Sequence, residues 1–290
     1  MQTVAELEIA SQPEIWRRVA KQSAEVKSLL PKPGEYVGVV GCGTSWFMAQ
    51  AYASLREASG EGITDAATAA EFLYRRNYDR LVVICRSGTT SEVVELLERT
   101  KIPNVVISGV SESPVTDLAN EVILLDYADE QSVLQTRYAT SALGLLRSSL
   151  GTDLNMLADQ AEIAVTSDLG DIPNSEQITF LGQGWTVGLA QEGALKTREA
   201  AQFWAEAYPA LDYRHGPISI AQKGRTVWMF GHADERLQSD IRATGAYLEM
   251  SELDPMVHLI RAQRTAIAIA KRKGLNPDIP RNLNRSVILG

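Results

Sequence analysis

The chain has 290 residues, 45% of them hydrophobic and 22% charged, with a net charge of −8. That is the composition of an ordinary folded protein, which excludes a disordered or fibrous chain and leaves no broad basic surface for nucleic acid. Two cysteines, Cys42 and Cys85, are too few for a disulfide framework, and His215, His232 and His258 show no metal-ligand spacing, so no cofactor and no protein-bound metal are expected. The first residues lack the basic and apolar regions of a signal peptide, and no run approaches the ~20 apolar residues of a membrane span. A cytoplasmic protein without a membrane partner is therefore expected.

In chain order, Tyr36-Val37-Gly38-Val39-Val40 is the first predicted strand. It enters Gly41-Cys42-Gly43-Thr44-Ser45 and then a helix from Trp46 to Glu57. The scheme repeats with Leu81-Val82-Val83-Ile84-Cys85, the loop Arg86-Ser87-Gly88-Thr89-Thr90, and a helix from Ser91 to Arg99. Val105-Val106-Ile107 and Val122-Ile123-Leu124-Leu125 supply two more buried strands. The pattern turns helical from about Ser132 to Leu150 and from Leu154 to Ala164, and Asp168 to Ser175, with Gly170, Pro173 and Asn174, reads as a boundary. Then Ile178-Thr179-Phe180-Leu181 runs into Gly182-Gln183-Gly184 and a helix over about Val187 to Ala205. Val227-Trp228-Met229-Phe230, Ala246 to Met250, and a helix from about Pro255 to Lys273 follow. Strands alternating with helices predict parallel sheets. The expected architecture is α/β, two tandem doubly wound domains over residues 1–169 and 170–290, with the second trimmed.

Two Gly-Ser/Thr loops sit where a strand feeds a helix, Gly43-Thr44-Ser45 and Ser87-Gly88-Thr89-Thr90. Such loops gather backbone N–H groups, hydroxyls and the positive end of a helix dipole around one point, which suits a phosphate. The alternative is that the Ser and Thr residues simply cap these helices. Neither loop carries the lysine of a nucleotide P-loop; Arg86 is the one fixed positive charge within them.

These loops resemble the phosphosugar loops of the sugar-isomerase (SIS) family, in the branch formed by the isomerase half of glucosamine-6-phosphate synthase and its single-chain relatives, which include phosphosugar isomerases, deaminases and deglycases. Glu8-Ile9-Ala10-Ser11-Gln12-Pro13 is similar to the family's entry segment. Glu130-Gln131-Ser132-Val133 through Thr140 resembles its sugar-facing segment. The most specific stretch is Glu192-Gly193-Ala194-Leu195-Lys196-Thr197-Arg198-Glu199, followed by Ala205-Glu206-Ala207-Tyr208 and Arg214-His215-Gly216-Pro217. Pro280 through Val287, with Asn284 and Arg285, resembles the tail that closes over the sugar.

The resemblance implies flavodoxin-like sheets and a substrate site built from Gly43, Thr44, Ser45, Cys85, Arg86, Ser87, Thr89, Thr90, Val133, Asn284 and Arg285. It also implies a homodimer in which His215 opens the sugar ring in the neighbouring subunit's site. Cys85, Arg86 and Arg285 stand where the synthase has serine, glutamine and lysine, so the substrate's identity is open. No glutaminase segment precedes these motifs, so glutamine hydrolysis is not expected.

Lys196 and Glu199, three apart, share a helix face. By spacing alone they would be an ordinary surface ion pair. The resemblance makes Glu199 the base that moves a proton between C1 and C2 of a sugar, and Lys196 the cation facing the enediolate oxygen. The expected activity is that of an aldose–ketose isomerase or a deaminase/deglycase of a hexose 6-phosphate or its amino derivative. The alternative is a phosphosugar sensor that binds without turnover.

Overall fold

Strand β1 (Val37–Gly41) is buried at every position, as a strand covered by helices on both faces must be. The same holds for β4 (Asn104–Ser108), and β3 (Arg80–Cys85) is buried after its first residue. The edges β2 (Thr64–Thr68) and β5 (Glu121–Leu124) are only partly covered. In the computed structural model, which describes residues 2–289, these strands form one parallel sheet in the order β2-β1-β3-β4-β5. The order reverses between β1 and β3, where doubly wound sheets bind ligands beyond the carboxyl ends of their strands.

A second parallel sheet has the order β7-β6-β8-β9, from β6 (Ile178–Gly182), β7 (Ala205–Pro209), β8 (Thr226–Phe230) and β9 (Tyr247–Glu249). It has one strand fewer than the first, as the shorter second half of the sequence predicts. The helices in chain order are α1 (Val4–Ala10), α2 (Gln12–Val26), α3 (Thr44–Ala58), α4 (Ser91–Arg99), α5 (Pro114–Leu118), α6 (Arg137–Ser149), α7 (Leu154–Ala164), α8 (Thr186–Ala201), α9 (Glu235–Ala243) and α10 (Pro255–Arg272).

The chain forms two units. One, with the first sheet, comprises Ser11–Gln131, Gln135–Ala158 and the chain from Asn284; the other, with the second sheet, comprises the chain up to Ala10, Ser132–Leu134 and Asp159–Leu283. Where the sequence analysis draws a single boundary after residue 169, the chain passes between the units more than once. In the first unit Val40, Val83, Leu96, Val106 and Val115 share a core. In the second, Leu181, Tyr213, Val227, Met229, Leu237 and Ile241 do so on one face, and α8 packs on α10. Helix α1 joins this second unit through Asp278, whose carboxylate accepts the Val4 and Ala5 amides at 3.0 and 2.8 Å and so satisfies N–H groups left open at the helix start.

Several elements differ from the sequence reading, and helices α1, α2, α5 and α9 were not read from it at all. The helix predicted to reach Ala205 stops at Ala201, where Gln202 turns left-handed at φ 46°, and Ala205 instead opens β7, parallel to β6. The helix predicted from Ser132 begins at Arg137. Edge strand β2 was not predicted, because Thr-Asp-Ala-Ala-Thr has no run of large β-branched or aromatic residues.

Candidate functional site

Both Gly-Ser/Thr loops stand at the carboxyl ends of adjacent strands, β1 and β3, which pair Val40 with Val83. Gly41 is dictated by the turn: a Cβ there would lie 2.6 Å from the Ser45 carbonyl carbon. Gly88 has φ +67°, and a Cβ on it would come within 2.2 Å of Ser113 Oγ, so no other residue fits without displacing the loop.

The capping alternative does not hold for these hydroxyls. Gly43 and Thr90 occupy the N-cap positions of α3 and α4, and neither makes a side-chain cap bond. Thr44 and Ser45 are buried in the first turn of α3, with Ser45 Oγ accepting from Gln135 Nε2 at 3.4 Å. Ser87, Thr89 and Thr90 are half-buried. Cys85 packs behind them with Sγ 3.9 Å from Thr90 Oγ1. Burial pushes the thiols of both Cys85 and Cys42 up, Cys42 to about 11, so each is a neutral group at neutral pH. Both cysteines are free.

Arg86 is neither a surface arginine nor a bare cation. Its guanidinium is 6% exposed and pairs at 3.1 Å with Glu130, whose side chain is fully buried, and it also donates to the Arg285 carbonyl at 3.2 Å. Arg285 in turn pairs with Asp129 and donates to the Glu130 carbonyl. Glu130 is thus a hub that the sequence reading placed in a motif without giving it a role. Asn284 is exposed. Val133 lies in the other unit, its amide donating to the Asp278 carbonyl at 3.1 Å.

In that unit, α8 lies close on β6 because residue 193 is glycine: a Cβ there would meet the Phe180 ring at 2.9 Å. This puts Lys196 in the interior, 2% exposed, where its ammonium pairs with Glu199 and stands 3.7 Å from Glu192. The surface ion pair suggested by spacing alone is therefore a buried one. Glu192, itself 1% exposed, is a second residue not singled out from the sequence. Its spacing of four from Lys196 was the available signal. Glu199 keeps 19% of its side chain accessible and opens on a cleft of about 430 Å³ lined by Arg198, Gln202, Phe203, Arg281, Asn282 and Leu283.

His215 ends a short 3₁₀ turn, Asp212–His215, and is exposed. Arg214 fixes this turn by pairing with Asp240 at 2.8 Å and Asp234 at 3.2 Å, and buried Tyr213 anchors it from beneath. Among the described residues, no group of three His, Cys, Asp or Glu side chains has the placement of a metal site, and no helix is long and apolar enough to cross a membrane.

No family model matches the chain. It is 28% identical over 310 residues to the glutamine–fructose-6-phosphate aminotransferase (isomerizing) of Sulfolobus acidocaldarius, an alignment covering 93% of this chain and 52% of the relative. The chain thus spans about half the length of the curated relatives it matches. Its fold is shared with the C-terminal domain of the glucosamine-fructose-6-phosphate aminotransferase of Francisella tularensis, at a TM-score of 0.81 and 22% identity over 97% of this chain and 98% of that one. The glucosamine-6-phosphate deaminase of Thermotoga maritima matches at a TM-score of 0.80 and 22% identity, over 98% of this chain and 100% of the other.

Proposed function

We propose that this chain, of the sugar-isomerase (SIS) type in both sequence likeness and fold, is an enzyme acting on a hexose 6-phosphate or its amino derivative. It moves a proton between C1 and C2 of the open-chain sugar, as an aldose–ketose isomerase or as a deaminase/deglycase. The observation that carries this reading is the Lys196–Glu199 pair, an ammonium held inside α8 against a carboxylate that opens on a cleft.

In this reading Glu199 takes the proton from the carbon beside the carbonyl and returns it to the neighbouring carbon. Lys196 balances the negative charge that grows on the enediolate oxygen. Because its surroundings are dry, that charge is worth more than it would be in water. Glu192, whose carboxylate stands 3.7 Å from the same ammonium, places a second negative charge beside it.

Phosphate capture is assigned to Ser45, Ser87 and Thr90, with Thr44, Thr89 and the backbone at Gly43 beside them. What supports this is that the hydroxyls are not spent on capping and that the loops end adjacent strands at the sheet's switch point. The named activities of the aminotransferase relative and of the deaminase neighbour, both on hexosamine or hexose 6-phosphates, support the substrate class.

His215 is proposed to open the sugar ring in a neighbouring subunit of a homodimer, for which its exposed ring is available. The direct test is to incubate the protein with fructose 6-phosphate, glucosamine 6-phosphate and fructosamine phosphates, and to assay ammonia and isomerised sugar. Turnover of one of these identifies the reaction. Tight binding of all without turnover makes the protein a phosphosugar sensor.

A further inference from the structure

The C-terminal tail lies on the loop assigned to phosphate. Ser286 sets its oxygen where the loop hydroxyls converge, 3.1 Å from Ser87 Oγ, 3.0 Å from Thr89 Oγ1 and 3.5 Å from Thr90 Oγ1. Ser87 and Thr89 donate to it. One oxygen accepting from two loop hydroxyls has the role a phosphoryl oxygen would play. The next residues extend the occupation: the Val287 carbonyl accepts the Ser91 amide at 3.1 Å, and the Leu289 amide donates to Ser91 Oγ at 2.8 Å. Ser91 is the first residue of α4, and its N–H has no partner within the helix. The tail therefore satisfies the same donors that an anion at this helix start would take.

The hold of this segment is polar. The side chains of Val287, Ile288 and Leu289 are 55%, 71% and 64% exposed, so little apolar burial fastens them to the loop. Hydroxyl and amide bonds of this kind exchange against water at small net cost. Just before it, Arg285 is gripped on both sides, its guanidinium by Asp129 and the Glu130 carbonyl and its own carbonyl by Arg86. A firmly anchored residue followed by a weakly held strap is the layout of a releasable flap.

We propose that Ser286–Leu289 is a removable occupant of the phosphate loop, an internal competitor that must leave before a phosphoryl group seats there. The inference rests on the reading of Ser87, Thr89 and Thr90 as phosphate ligands. Its opposite is that Ser286 stays and serves as one more hydroxyl ligand to the phosphate. The two make opposite predictions, because a competitor lowers apparent affinity by the fraction of time it occupies the site, whereas a ligand raises it.

The experiment is calorimetric titration of inorganic phosphate into the full chain, into the Ser286→Ala variant and into a chain ended at Arg285, with circular dichroism confirming that each is folded. Both variants are expected to bind phosphate more tightly, the shortened chain by about tenfold if the strap covers the loop nine-tenths of the time. Unchanged or weaker binding in Ser286→Ala overturns the proposal, even if the shortened chain does not fold. A Ser87→Ala/Thr90→Ala variant separates the two levels. If it loses phosphate while Ser286→Ala gains none, the strap alone is wrong; if it binds phosphate as the wild type does, the loop assignment falls and the strap with it.

Discussion

Glu130 ties Arg86 to the start of α6. One carboxylate oxygen accepts from Arg86 at 3.1 Å, and the other accepts from the Thr136 amide and hydroxyl at 2.5 and 2.8 Å. The loop that follows β3 is thus fastened through a buried charge pair. Removing one partner leaves the other charged and dry, which costs about 3–5 kcal/mol. We expect Glu130→Ala to lower the unfolding free energy by about that amount in urea titrations, and Arg86→Met/Glu130→Leu to lose less than Glu130→Ala. Equal stability of Glu130→Ala and wild type would show that the pair fastens nothing.

Lys196→Met removes the proposed oxyanion partner and leaves Glu192 and Glu199 without their shared cation. Loss of one such contact is worth a factor of about 10²–10³ in kcat, and we expect a fall of that order with KM little changed. Thermal unfolding of the same variant separates this effect from simple destabilisation.

The second unit carries an acid-sensitive cluster apart from the proposed chemistry. Burial pushes the His258 ring below its ordinary value of 6.5, although Glu249 pulls it back up. Burial raises the Glu249 carboxyl, but the His258 hydrogen bond and the Arg261 charge outweigh it and hold it below 4.5. A group with a depressed folded pKa gives stability above its unfolded pKa and loses it as pH falls. For His258 the loss starts below about pH 6.5, and for Glu249 below about pH 4.5. The melting temperature should therefore fall steadily from pH 7 to pH 4, and His258→Gln should flatten the upper part of that fall. A wild-type melting temperature level across this range contradicts the assignment.

The proposed homodimer has its own test. Glu199→Gln and His215→Ala are each expected to be inactive on a cyclic sugar phosphate. Mixed and re-equilibrated, they should regain activity, since a heterodimer would hold one site with an intact Glu199 and a partner's intact His215. Absence of any recovery, with heterodimers demonstrated by co-purification of differently tagged variants, removes the shared-site proposal. His215→Ala should spare an open-chain substrate more than a cyclic one.

The central strands were legible because they are buried on both faces and read as apolar runs: Leu81 to Cys85 lies inside β3 and Val105-Val106-Ile107 inside β4. The edges were not. β2 is Thr-Asp-Ala-Ala-Thr and β7 is Ala-Glu-Ala-Tyr-Pro, and each is specified by its ladder to a neighbour rather than by its own residues. At the loops, the glycines and hydroxyls could be read from local spacing. The fate of Arg86 could not, because its partner Glu130 is 44 residues away and only tertiary packing brings them together. Nor does an i,i+3 spacing distinguish a solvated Lys–Glu pair from a buried one. The difference at Lys196 is made by Gly193, which lets α8 approach Phe180.

The proposal that Glu199 is the base is tested most directly by following the C2 proton of a turned-over sugar 6-phosphate in deuterated water by NMR, in wild type and in Glu199→Gln. The account predicts deuterium incorporation by the wild type, none by the variant, and phosphosugar affinity nearly equal in both. Exchange at an undiminished rate in Glu199→Gln would contradict it.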